Sequence, residues 1–105
     1  MTGRAKDLIK SGGEWINPAE IEAIIARQSG VAEVAVIARA DPKWGERPVL
    51  IVKLLADAIN DDDLLQPLRP LVPAWWIPDA IVRVATMPLA PTGKIDKKKL
   101  RAEFG

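Results

Sequence analysis

The chain has 105 residues and a mass of 11.5 kDa, room for one small domain. Apolar residues make up 49% and charged residues 28%, globular rather than disordered proportions. The balance of 15 Lys+Arg against 14 Asp+Glu leaves a net charge of +1, which gives no global pull toward nucleic acid or an anionic membrane. There is no Cys and no His, which excludes disulfides, Ser-His and Cys-His nucleophile pairs and the commonest zinc sites. No apolar run approaches the ~20 residues that span a bilayer, and no signal segment opens the chain. A cytoplasmic location is the expectation.

Met1-Thr2-Gly3-Arg4 runs directly into patterned sequence, which reads either as a piece of a longer protein or as a complete small protein with an abrupt start. Residues 4–9 alternate weakly and predict a short strand. Ser11-Gly12-Gly13 predicts a turn, and Glu14-Trp15-Ile16 a second strand pairing back. Asn17 can cap a helix, Pro18 suits its first position and Glu20 its first turn. Ile21, Ile24 and Ile25 form an apolar stripe, predicting a helix over about 18–28 that stops near Gly30.

Val31–Ile37 is rich in β-branched residues and reads as a strand. Asp41–Pro48 reads as a loop from its Asp, Pro and Gly content, and Val49–Leu55 as an antiparallel neighbour of the strand before it. Asn60-Asp61-Asp62-Asp63 marks another helix start, with Leu64, Leu65, Leu68, Leu71 and Val72 as its stripe. Pro67 and Pro70 remove backbone donors and predict a kinked or shortened helix. A strand at Ala80–Ala85, a loop at Pro88–Gly93 and a last helix capped by Asp96 complete the chain. The expected class is α+β: a small sheet of about three central strands plus an N-terminal two-stranded hairpin, covered by two or three helices in the order ββαββαβα.

Pro88-Leu89-Ala90-Pro91-Thr92-Gly93-Lys94 is the most specific feature. A lysine on a stiff loop is a good point charge for a phosphate or carboxylate oxygen, although surface lysines are common and Lys97, Lys98 and Lys99 follow. A basic helix for nucleic acid is disfavoured by the net charge. Ser11-Gly12-Gly13 lacks a Walker lysine and reads as a hairpin turn rather than a phosphate nest. Trp75-Trp76 reads as core packing rather than a stacking platform. Glu20 and Glu22, two apart on a helix, do not form an acid–base pair.

Three segments coincide with one family. Residues 3–22, running from Gly3-Arg4 through Ser11-Gly12-Gly13-Glu14 to Glu22, resemble the hinge motif of the AMP-forming acyl-CoA synthetases, relatives of peptide-synthetase adenylation domains and firefly luciferase. Asp41–Pro48 resembles the family's D-x-x-x-G-E loop, and Pro88–Lys94 its P-x-x-x-x-G-K motif. Trp75-Trp76-Ile77-Pro78-Asp79 looks most like the branch acting on fatty and related acids.

The resemblance covers residues 1–105 and implies the small C-terminal mobile domain, with a hinge at about 3–10 and the large N-terminal domain absent. It implies ATP and CoA as cosubstrates, with Mg2+ expected in the intact enzyme but no ligands for it identified in this chain. A carboxylic acid is adenylated and then passed to the CoA thiol. By the same resemblance Lys94 is the catalytic lysine of adenylation, Arg4 lies near the nucleotide, Lys6 is the hinge residue, Gly13 lies beside the pantetheine tunnel, and Lys10 approaches the site in the second pose. The implied partners are the protein's own N-terminal adenylation domain and a protein acetyltransferase acting on Lys94. The chain alone is expected to fold but to be inactive, with residues 1–16 least ordered. The alternative is a non-catalytic interaction or carrier-binding module that keeps the fold.

Overall fold

The computed structural model describes residues 8–55 and 59–105. Gly12 and Gly13, with φ of 60° and 85°, occupy both central positions of a two-residue turn. The twist of a tight hairpin asks for this left-handed backbone, and glycine adopts it without steric cost. The turn joins β1 (Ile9–Ser11) to β2 (Glu14–Ile16), antiparallel, with Ile9 opposite Ile16 and Ser11 opposite Glu14. The first strand thus starts at the end of its predicted range, and residues 4–7 lie outside the described ones. Nor is the hairpin a loose end throughout: Ile9 and Ile16 are fully buried.

Helix α1 (Pro18–Ala26) begins as its sequence dictates: the Asn17 side chain accepts the Ala19 N–H at 3.0 Å, Pro18 opens the first turn, and Ile21 and Ile25 are buried. It ends two residues before the predicted limit, at a right-handed Arg27 rather than a glycine cap. Gly30 serves a different purpose, lying against the Ile59 side chain where a Cβ would collide.

β3 (Val31–Asp41) and β4 (Gly45–Leu54) pair antiparallel from Val31 opposite Leu54 to Asp41 opposite Gly45. The predicted loop at 41–48 is therefore mostly strand, reduced to residues 42–44. Pro48 is tolerated because its position opposite Ala38 turns its missing N–H away from β3, while its carbonyl accepts the Asp79 N–H at 3.1 Å.

The proline-rich stretch shortens as predicted. Asn60 caps α2 (Asp61–Leu65) through the Asp63 N–H, Pro67 falls in a 3-10 turn at Gln66–Leu68, and a second 3-10 turn occupies Ala74–Trp76. β5 (Ala80–Arg83), two residues shorter than predicted, runs parallel to β4. Asp96 caps α3 (Lys97–Phe104) through the Lys99 N–H at 3.1 Å.

The element order ββαββαβα holds, and the hairpin joins the central strands in one five-stranded sheet. β3 fills one edge of β4. The other edge is shared, by β1 at Gly45 and by β5 at Val49–Val52. Alternate residues of β3 and β4 feed two cores. Val34, Val36, Leu50 and Val52 pack with Ile21 and Ile25 of α1 and with Leu64 and Leu68. Ala35, Ile37, Val49 and Ile51 pack with Met87 and with Leu100 of α3. Both faces are thus apolar, which is why these strands read as continuous rather than alternating hydrophobic runs.

Candidate functional site

Lys94 stands on a braced turn. The Gly93 N–H donates to the Ala90 carbonyl at 2.8 Å, and the Ala90 N–H donates to the Lys94 carbonyl at 2.7 Å. Pro91 presets the second turn position, and Gly93 takes a φ of 88° that a side-chain-bearing residue resists. Below the turn, Leu89 bridges Ile95, and the Asp96 N–H donates to the Pro88 carbonyl at 2.8 Å. The loop is rooted in the α3-side core through Met87 and Ile95. A fixed backbone carries an exposed ammonium, as the sequence predicts. Of the lysines that follow, Lys97 is bound to Glu22 at 2.6 Å, whereas Lys98 and Lys99 are exposed as Lys94 is.

The hairpin belongs to the other core, through Ile9 and Ile16. Gly13 is exposed, and a Cβ there would meet nothing within 4 Å. Gly12 is the crowded glycine: its N–H donates to the Trp44 carbonyl at 2.8 Å, and a Cβ would lie 2.7 Å from Trp44 Cε3. Lys10 projects from β1 with its ammonium 5.3 Å from the centre of the exposed Trp15 ring, and its N–H donates to Glu46 at 3.0 Å. Lys94 and Gly13 are thus rooted in separate cores on opposite faces of the sheet. Arg4 and Lys6 lie outside the described residues.

Beside the hairpin turn is a groove of about 270 Å³ lined by Ser11, Gly12, Glu14, Trp44 and Trp75. The tryptophan pair divides its labour: Trp76 packs against the α1-side core, as the core reading of Trp75-Trp76 expects, whereas Trp75 is 38% exposed and faces this groove. Trp44 is held by Asp41, whose side chain accepts the Lys43 and Trp44 N–H groups at 2.8 and 2.9 Å. Those two bonds, led by the one from Trp44, hold the Asp41 carboxyl below its ordinary value of 3.8.

Sequence reasoning did not single out Arg47. Its guanidinium meets Asp79 through two bonds of 2.9 Å, the Ser11 hydroxyl at 2.9 Å, and the Trp75 and Ile77 carbonyls at 2.7 and 3.1 Å. Its available signal was a lone arginine beside a proline at the head of a strongly apolar strand. Glu20 is exposed on the first turn of α1, and Glu22 is partly buried. Glu22 accepts the Val36 N–H at 2.8 Å. Among the described residues no group of three or more acidic side chains is placed to hold a metal ion.

Comparison with known proteins gives the class of this α+β domain: the chain belongs to the AMP-binding enzyme C-terminal domain family, whose profile matches residues 20–94. The particular relatives are acyl-CoA ligases. The chain is 44% identical over 102 residues to the 3-methylmercaptopropionyl-CoA ligase of Ruegeria lacuscaerulensis, covering 96% of this chain and 19% of that protein. It is 43% identical over 103 residues to the medium-chain-fatty-acid–CoA ligase of Ectopseudomonas oleovorans, covering 97% and 19%. Among solved structures it superposes on the Mycobacterium tuberculosis fatty acyl CoA synthetase with a TM-score of 0.88 at 37% identity, covering 94% of this chain and 20% of that one. It superposes on apo MatB from Rhodopseudomonas palustris with a TM-score of 0.90 at 31% identity, covering 97% and 21%. The chain therefore spans about a fifth of the length of the relatives it matches.

Proposed function

We propose that this chain is the mobile C-terminal lid of an ATP-dependent, AMP-forming acyl-CoA ligase for a fatty or related carboxylic acid, serving two half-reactions with two faces. The observation that carries this reading is the rooting of Lys94 and the Gly12–Gly13 hairpin in separate cores on opposite sides of the sheet. A rotation of the domain would bring each of the two to the same reacting centre in turn.

In the first half-reaction a substrate carboxylate oxygen attacks the α-phosphorus of ATP and pyrophosphate leaves. Lys94 stabilises the charge shared between the carboxylate and the α-phosphate oxygens. In the second, the CoA sulfur attacks the acyl carbon, AMP leaves, and the exposed, side-chain-free Gly13 leaves room for the pantetheine arm. Lys10 approaches the site in this second pose. Arg4 sits near the nucleotide, Lys6 is the hinge, and Mg2+ accompanies ATP on the large N-terminal domain, which completes both sites. Without that domain the chain is inactive. The enzyme is cytoplasmic, and exposed Lys94 is open to a protein acetyltransferase whose product would lack the required charge.

The test is to separate the half-reactions in the intact ligase. Lys94→Ala is expected to lower ATP–pyrophosphate exchange by about 10²–10³-fold while sparing thioester formation from supplied acyl-adenylate. Gly13→Leu is expected to do the reverse. Equal loss of both steps in both variants overturns the two-face reading.

A further inference from the structure

Resting on that reading, we infer that Arg47 is a positioning residue for the thioester-forming step: it sets the separation of the hairpin turn from the Trp75 turn, and so the width of the groove between them. All five of its N–H donors are engaged, and their acceptors come from four places in the chain: Ser11 at the end of β1, Trp75 in its 3-10 turn, Ile77 after it, and Asp79 before β5.

Backbone bonds tie the two sides separately, the Gly12 N–H to the Trp44 carbonyl and the Asp79 N–H to the Pro48 carbonyl, and it is the guanidinium that joins one side to the other. β1 meets β4 at a single register pair, Ser11 opposite Gly45, and β5 begins only opposite Val49. Between those points the edge of β4 holds Pro48, which has no N–H to give. The guanidinium spans that gap. Two of the five groove-lining residues, Ser11 and Trp75, bond to it directly, and Gly12 follows Ser11. Trp44, on the remaining wall, lies three residues before Arg47 and is clamped by Asp41.

Arg47 is 8% exposed, whereas Trp75, whose carbonyl it binds, is 38% exposed and Trp44 across the groove 46%. The apolar walls are thus held open by a network behind them, which is how a preformed site avoids ordering its walls at the moment of binding. Lysine does not replace this residue, because an ammonium is a point donor and cannot fork across Asp79 while reaching Ser11 and two carbonyls.

The experiment measures KM for CoA, ATP–pyrophosphate exchange and melting temperature in the intact ligase carrying Arg47→Lys, Asp79→Asn or Trp44→Ala. A misplacement of about 1 Å can cost up to about 10²-fold, so Arg47→Lys is expected to raise KM for CoA by about tenfold with exchange changed less than about twofold. Asp79→Asn keeps one acceptor and gives a smaller rise in the same direction. If Trp44→Ala raises KM for CoA and neither network variant does, the role of Arg47 is refuted and the two-face reading stands. If all three leave KM for CoA unchanged, the reading of this face fails with it. Parallel loss of both half-reactions, in step with melting temperature, makes Arg47 purely structural and also overturns the inference. Should Arg47→Lys fail to fold, the same criteria apply to Asp79→Asn, whose site is exposed.

Discussion

Glu22 offers a direct energetic test of how the sheet is closed. It reaches from α1 to the outer edge of β3, where one carboxylate oxygen accepts the Val36 N–H at 2.8 Å and the Lys97 ammonium at 2.6 Å. The Glu22 and Lys97 side chains are only 21% and 20% exposed, and Val36 is completely buried. Glu22→Ala takes the acceptor away from a buried N–H, a loss of about 1–3 kcal/mol. The partly buried ion pair adds about 1 kcal/mol after allowance for its exposure. The expected total is about 3 kcal/mol, or a fall in melting temperature of roughly 15 °C for a domain of this size. Glu22→Gln keeps a carbonyl oxygen for Val36 and loses only the charge, so it is expected to cost about 1 kcal/mol. Urea unfolding of the 105-residue chain, followed by tryptophan fluorescence, separates the two variants. Equal costs for Ala and Gln, or a cost below about 0.5 kcal/mol for Ala, would refute the assignment of the buried N–H as the dominant loss.

Gly12→Ala is expected to cost about 2 kcal/mol, since a Cβ would lie 2.7 Å from Trp44 Cε3 on a left-handed backbone; Gly13→Ala meets open space and is expected to cost about 1 kcal/mol, both read by the same unfolding assay. Lys94→Ala is expected to stay within about 0.5 kcal/mol of the parent, because the backbone and not the exposed ammonium closes its turn; a larger drop in unfolding midpoint would tie the lysine to the fold. Asp41 titrates below its ordinary 3.8, so its contribution is complete above that value and is lost as pH falls through the lower folded one. Amide shifts of Lys43 and Trp44 should report this release in acid, and Asp41→Asn should abolish the transition.

Local chemistry made much of the fold legible. Asn17-Pro18 and Asn60 announced helix starts because caps act within three residues, and the double glycine announced its hairpin. The stretch from Asp41 to Pro48 misled for the same reason: its residues favour turns locally, but pairing with β3 over 45–48 outweighs that preference. For the candidate site, the motif loop around Lys94 and the turn at Gly13 stand where their spacing placed them. Arg47 was hidden because its acceptors lie 28 to 36 residues away, at 11, 75, 77 and 79. No local pattern encodes a contact of that range. Trp75 was read with Trp76 as core packing because adjacent tryptophans look alike in sequence, and only tertiary packing sends one to the core and the other to the groove.

The closure of β3 by Glu22 reaches beyond stability. An eleven-residue strand with a bare outer edge is a template on which other chains can polymerise. Here the carboxylate occupies the edge at Val36, and the Arg39 guanidinium binds the Phe104 carbonyl of α3 beside the same strand. The other margins are formed by strands of three and four residues, short for a foreign strand to recognise. The Glu22 carboxylate thus blocks the middle of the longest strand's outer edge against pairing by another chain.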